Sequence, residues 1–111
     1  MAIVDQAVIE TLKEIMGDDF KLLITTFLSD AQMRVEQLQF MSASTDSDAL
    51  RKAAHSLKGS CANVGVQELA VLCQQIEDAA VANQLACIPV LIEDVTRSHR
   101  QADAILRAYL D

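Results

Sequence analysis

The sequence predicts an all-α protein, an antiparallel up-down-up-down four-helix bundle with a short additional N-terminal helix, and three observations predict it. Apolar residues recur every three or four positions along nearly all of the 111-residue chain, and nowhere at the alternating period of a strand. Only three glycines and one proline punctuate it, so the helical pattern breaks at few points. The breaks are short, and helices joined by short connections fold back as antiparallel neighbours. Residues 1–111 therefore read as one domain.

The segment MAIVDQAVIETLKEI sets Val4, Val8, Leu12 and Ile15 at helical spacing, and Gly17 stops it. Asp18 and Asp19 follow as candidate caps of a second helix over about 19–42. There Phe20, Leu23, Ile24, Phe27, Ala31, Val35, Leu38 and Met41 share about one third of the circumference. In the tract SASTDSD, Thr45 or Asp46 offers a short oxygen-bearing side chain that can accept from the free amides of a first turn. The third helix runs from there to about Val64 and ends at Gly65, which adopts the left-handed conformation at little cost. A fourth carries Leu69, Leu72, Cys73, Ile76 and Ala80 on one face. The fifth starts at Pro89, whose fixed φ suits a first helical position, and has Leu91, Val95, Ala102, Ile105, Leu106 and Tyr109 on one stripe.

Composition narrows the partners. The chain is 51% hydrophobic and 23% charged, which excludes disorder. No apolar run approaches the roughly 18–20 residues a membrane span requires, and the N-terminus is interrupted by charge, so neither a signal peptide nor an anchor is expected. Nine Lys and Arg against 16 Asp and Glu give a net charge of -7, which disfavours nucleic acid and anionic membranes as partners. Cys61, Cys73 and Cys87 lie in apolar patterns without CxxC spacing and read as small core residues of a cytoplasmic protein.

The third helix departs from this background. On a wheel advancing 100° per residue, Leu50, Ala53, Leu57, Cys61 and Val64 lie opposite His55, so the imidazole points outward. Asp48, Arg51, Lys52, Lys58, Gly59 and Ala62 surround it. Residues 46–65 hold three basic and two acidic groups, whereas each flanking part holds three basic and seven acidic. A slightly basic island on an acidic scaffold suits a bound anionic group and attracts an acidic partner. Glycine inside a helix costs roughly 1 kcal/mol relative to alanine. Gly59 lies one turn beyond His55 on the same face, where its missing side chain leaves the ring open.

The string AHSLKGSCANVG, from Ala54 to Gly65, resembles the signature of histidine-containing phosphotransfer (HPt) domains: His, two residues, Lys-Gly-Ser, then a later Gly. The stretch LAVLCQQIEDAA is similar to the family's following helix. By that resemblance His55 is the phospho-accepting histidine, Lys58 assists the phosphoryl group electrostatically, and Gly59 gives the partner access. Glu77, 22 residues after His55, takes the position of the carboxylate or amide that bonds the ring, with Gln74 beside it. Arg51, Lys52, Gly59, Ala62 and Gln74 are the expected partner-contacting residues. The resemblance implies a carrier in two-component signalling that takes phosphoryl groups from one receiver-domain aspartate and gives them to another. Its partners would be receiver domains of hybrid sensor kinases and of response regulators. The chain resembles the bacterial stand-alone form, expected to be monomeric, with no nucleotide site or cofactor of its own and with magnesium belonging to the receiver.

Competing readings of the same residues are a helical adaptor that binds through the His55 face without carrying phosphate, and a metal-dependent bundle enzyme. The second lacks the paired carboxylates and Glu-x-x-His ligands of such bundles. His99 reads as a packed histidine on the flank of the fifth helix. Leu22, Met33 and Phe40 lie opposite the second helix's core stripe, where the first helix could cover part of them and a receiver or second copy could dock on the rest.

Overall fold

A computed structural model describes residues 1–111, all of whose regular structure is helical. The helices are α1 (Gln6–Met16), α2 (Phe20–Phe40), α3 (Ser47–Val64), α4 (Gln67–Val81) and α5 (Ile88–Ala108). Helices α2 to α5 pack in a ring, α2 on α3, α3 on α4, α4 on α5 and α5 on α2, with α3 and α4 the most closely paired. The molecule is elongated along the helices, 43 × 22 × 20 Å.

The start of α3 follows the sequence reading. Asp46 Oδ1 accepts from the Ala49 amide at 3.0 Å, capping the first turn. Gly65 ends the helix at φ +73°, and a Cβ there would meet Val8 at 2.9 Å. The left-handed backbone and the close approach of α1 both require glycine at this corner. Asp5 fastens α1 to the same corner: its amide donates to the Gly65 carbonyl at 2.8 Å, and its Oδ2 accepts from Gln67 Nε2 at 3.0 Å.

Elsewhere the structure corrects the expected phases. Helix α1 starts after Val4 and turns Ile9, not Ile15, into the core. Ile9 is fully buried with Leu12 and Met16 packed behind it, and Ile15 stays exposed. Asp18 and Asp19 do not cap α2; they form a 3₁₀ turn that runs straight into it, so no side-chain cap is made. Helix α2 ends at Phe40 and α5 begins at Ile88, one residue before Pro89. Leu28, Ala54 and Ile92 join the core beside the expected stripes. Cys61 and Cys73 are buried, whereas Cys87 is exposed in the 3₁₀ turn before α5 and is no core residue. Burial pushes the Cys73 thiol up to about 12 and raises that of Cys61 as well, which keeps both protonated and unreactive. Leu22, Met33 and Phe40 are all exposed, and α1 does not cover Leu22.

His99 is buried as expected, with its Nε2 unpartnered within the protein. Burial holds its pKa below the usual value; Arg100 acts in the same sense, and Asp103 and Glu36 oppose it only partly. The unfolded chain thus binds a proton near pH 6.5 that the folded chain resists, so this residue's contribution to stability falls as pH drops through that region. Urea midpoints measured at pH 7.5 and 5.5 should show lower stability at the lower pH, and His99→Leu should reduce that dependence.

Candidate functional site

On α3 the residues facing the core, Leu50, Ala53, Ala54, Leu57, Cys61 and Val64, are all buried, which fixes the helix's rotation. The opposite side is therefore presented to solvent. His55 stands there with 63% of its side chain exposed. Gly59, one turn on, faces open space, with no atom within 4 Å of where a Cβ would lie. Ala62 continues the strip and borders an apolar groove with Val8, Val66 and Val71.

The close pairing of α3 with α4 brings Glu77 to His55. Glu77 lies on the buried side of α4, its side chain 12% exposed, and its Oε1 is 2.6 Å from His55 Nδ1. Its other oxygen, Oε2, accepts from Lys58 Nζ at 2.9 Å. The hydrogen bond from Lys58 is the largest influence on Glu77 and lowers its pKa below the ordinary value. Burial opposes this, and the bond to His55 supports it. An ionised carboxylate only accepts, so the proton of a neutral imidazole here lies on Nδ1. The lone pair is left on Nε2.

Lys58 donates further to Gln74 Oε1 at 2.8 Å, and Gln74 Nε2 donates to Asp78 Oδ1, also at 2.8 Å. Gln74, expected at the partner surface, thus has both ends of its amide engaged within the chain. Arg51 and Lys52 bind Asp48 at 3.1 and 3.0 Å, and these two cations lower the Asp48 pKa, Lys52 foremost. Both pairs are exposed and screened by water, so either cation can turn to an incoming anion at little cost.

Sequence reasoning therefore placed His55, Lys58, Glu77 and Gln74 together, but it missed two supporting carboxylates. Asp78 holds Gln74. Asp30 on α2 accepts from Ser60 Oγ at 3.1 Å and from Arg34 Nε at 2.9 Å, tying the helix that carries His55 to its neighbour. The signal for Asp78 was its i,i+4 spacing from Gln74. Nothing in sequence pairs Ser60 with Asp30, which lies 30 positions away. No three His, Cys, Asp or Glu side chains come together to hold a metal ion, and no helix is long and apolar enough to cross a membrane.

Comparison with known proteins gives concordant findings. The pattern of one family, the Hpt domain, matches residues 22–109. The crystal structure of histidine-containing phosphotransfer protein B (HptB) from Pseudomonas aeruginosa PAO1 superposes with a TM-score of 0.92 at 31% sequence identity, covering 97% of this chain and 94% of that one. Over 83 residues the chain is 30% identical to the sensor protein TorS of Escherichia coli (strain K12). That stretch is 75% of this chain and 8% of TorS, so the chain spans only a small part of that relative.

Proposed function

The chain belongs to the Hpt domain family, and from that premise we propose that it is a phosphorelay intermediate of two-component signalling with His55 as phosphoryl acceptor. The observation that carries this reading is the 2.6 Å contact between His55 Nδ1 and the Glu77 carboxylate, on a ring otherwise open to solvent.

Transfer begins when a receiver domain presents an aspartyl phosphate to the exposed ring. The Nε2 lone pair attacks phosphorus, an N–P bond forms, the P–O bond to the aspartate breaks, and that carboxylate leaves as the anion. The Nδ1 proton stays on the ring. Positive charge developing on the imidazole is balanced by Glu77, already ionised and already hydrogen-bonded. Lys58 lies beside it to meet the phosphoryl oxygens, and Arg51 and Lys52 add positive potential towards an acidic receiver. The reverse sequence delivers the group to a second aspartate. Ala62 and its apolar groove supply a non-polar contact two turns along α3 from the ring. The magnesium ion that supports aspartyl phosphate chemistry would come with the receiver. On this reading the protein acts as a monomeric cytoplasmic carrier without a nucleotide site of its own.

Incubation with phosphorylated receivers tests it. Label should pass to the protein in an acid-labile, alkali-stable form and be absent from His55→Gln. A folded protein that binds receivers yet never takes label would instead be a helical adaptor.

Gly59 separates access from stability. It adopts ordinary helical backbone and faces open space. Gly59→Ala should therefore stabilise the free protein by about 0.5–1 kcal/mol in urea unfolding. Gly59→Trp should leave the fold standing but weaken receiver binding at least tenfold, as read by titration calorimetry. Unchanged binding would reject the access argument.

A further inference from the structure

Asp78 has no task in the transfer described above, yet it ends an ordered chain of contacts. Its carboxylate accepts from Gln74 Nε2 at 2.8 Å, and Gln74 Oε1 accepts from Lys58 Nζ at 2.8 Å. Lys58 donates to Glu77 Oε2 at 2.9 Å, and Glu77 Oε1 meets His55 Nδ1 at 2.6 Å. Five side chains thus connect the exposed edge of α4 to the imidazole.

Donor and acceptor chemistry allows this chain one orientation. An ammonium only donates, an ionised carboxylate only accepts, and an amide has one end of each kind. Asp78 draws the NH₂ of Gln74 towards itself, which turns the carbonyl oxygen to Lys58. A flipped amide would set NH₂ against the ammonium and oxygen against the carboxylate. Glutamine is therefore an adaptor between a cation and an anion, and Asp78 fixes which way it faces. The lysine stem is long and rotationally free, so two acceptors on α4 restrict it far more than one.

We propose that Asp78 is a positioning residue for phosphoryl transfer: by orienting Gln74 it holds Lys58 against Glu77 at the flank of His55. This rests on the reading of His55 as the acceptor. Lys58 held in place keeps Glu77 ionised, and Glu77 in turn keeps the lone pair on Nε2. Losing Asp78 frees Gln74 to flip and lets Lys58 leave for solvent. Asp78 is exposed, so its replacement leaves the core intact.

The experiment uses the full chain and phosphoramidate, which needs no partner protein. Its P–N bond breaks, ammonia leaves from the zwitterionic donor, and an N–P bond forms at His55 Nε2. Asp78→Ala should accept label about three- to tenfold more slowly, the effect of one orienting hydrogen bond. The titration midpoint of the Glu77 carboxyl, followed by carbon-13 NMR, should move to higher pH in that variant. The direction is diagnostic, because removing a nearby negative charge alone would move the midpoint lower. Asp78→Asn keeps an accepting oxygen without the charge and should restore the rate, with the midpoint at or below that of the wild type. Wild-type rate with an unraised midpoint in Asp78→Ala, or an Asp78→Asn as slow as Asp78→Ala, would overturn the inference alone. Wild-type protein that takes no label at His55, from phosphoramidate or from any receiver of its source organism, would overturn the underlying reading and the inference with it.

Discussion

Replacing Glu77 with alanine is expected to slow phosphoryl acceptance by about ten- to a hundredfold, or roughly 1.4–2.7 kcal/mol of transition-state stabilisation. Two losses combine. Without the carboxylate 2.6 Å from Nδ1, the ring is free to place its proton on either nitrogen, so only a fraction of molecules present a lone pair at Nε2. The positive charge that grows on the ring during attack also loses its fixed counter-charge, and a prearranged ion is worth more than water that must reorient. Glu77→Gln should fall between alanine and wild type. Its carbonyl oxygen can still accept from Nδ1–H, but its NH₂ then faces the Lys58 ammonium. Rapid-quench transfer from a phosphorylated receiver measures these rates. Circular dichroism should show unchanged helix content, because the apolar residues of α4 that face the core, Leu69, Cys73, Ile76 and Ala80, remain. Wild-type rates in Glu77→Ala would reduce the contact to a surface ornament of the bundle.

The largest effect on stability is expected at Leu57, two positions beyond His55 and on the opposite side of the same helix. Leu57 is fully buried in the core. Truncation to alanine removes the transfer free energy of the lost methyl and methylene groups and leaves a cavity that the neighbouring helices fill only in part. Leucine-to-alanine substitutions at such sites cost about 2–5 kcal/mol. That is a large share of the roughly 5–15 kcal/mol by which a domain is stable. Urea unfolding should show the loss as a lower midpoint, with a slope close to that of the wild type. The pairing of these variants separates two contributions to the site, one from α3 and one from α4. Leu57 sets the helix's rotation and so aims His55, while Glu77 conditions the ring once it is aimed. A loss below about 1 kcal/mol in Leu57→Ala would mean that the core around α3 is far looser than its burial indicates.

How much of this was legible in the sequence depends on what each feature needs. The orientation of α3 needed only its own periodicity: five apolar residues on one side leave His55 outward, and Asp46 and Gly65 mark the ends by local chemistry. The expected stripe of α1 holds at Val4, Val8 and Leu12, although Val4 precedes the helix, but it missed Ile9, which carries the core contact, and included Ile15, which stays exposed. Cys87 looked apolar in sequence but falls in a turn, where burial follows tertiary placement and not residue type. Glu77 was located by its distance from His55 in a known family. Its three-way geometry with Lys58 and Gln74 depends on how α4 rotates against α3, which no pattern within one helix specifies. Asp78 went unnoticed because its effect passes through Gln74, and an exposed i,i+4 pair on a helix is ordinarily a minor stabiliser.

The central claim is that Glu77 reserves Nε2 of His55 for phosphorus. Phosphorus-31 and nitrogen-15 correlated NMR on the phosphorylated, nitrogen-labelled protein tests it most directly, because it identifies the nitrogen bonded to phosphorus. A single phosphohistidine is expected, with phosphorus coupled to Nε2 of His55 and a proton retained on Nδ1 facing Glu77. Phosphorus on Nδ1, or on any residue other than His55, would contradict it.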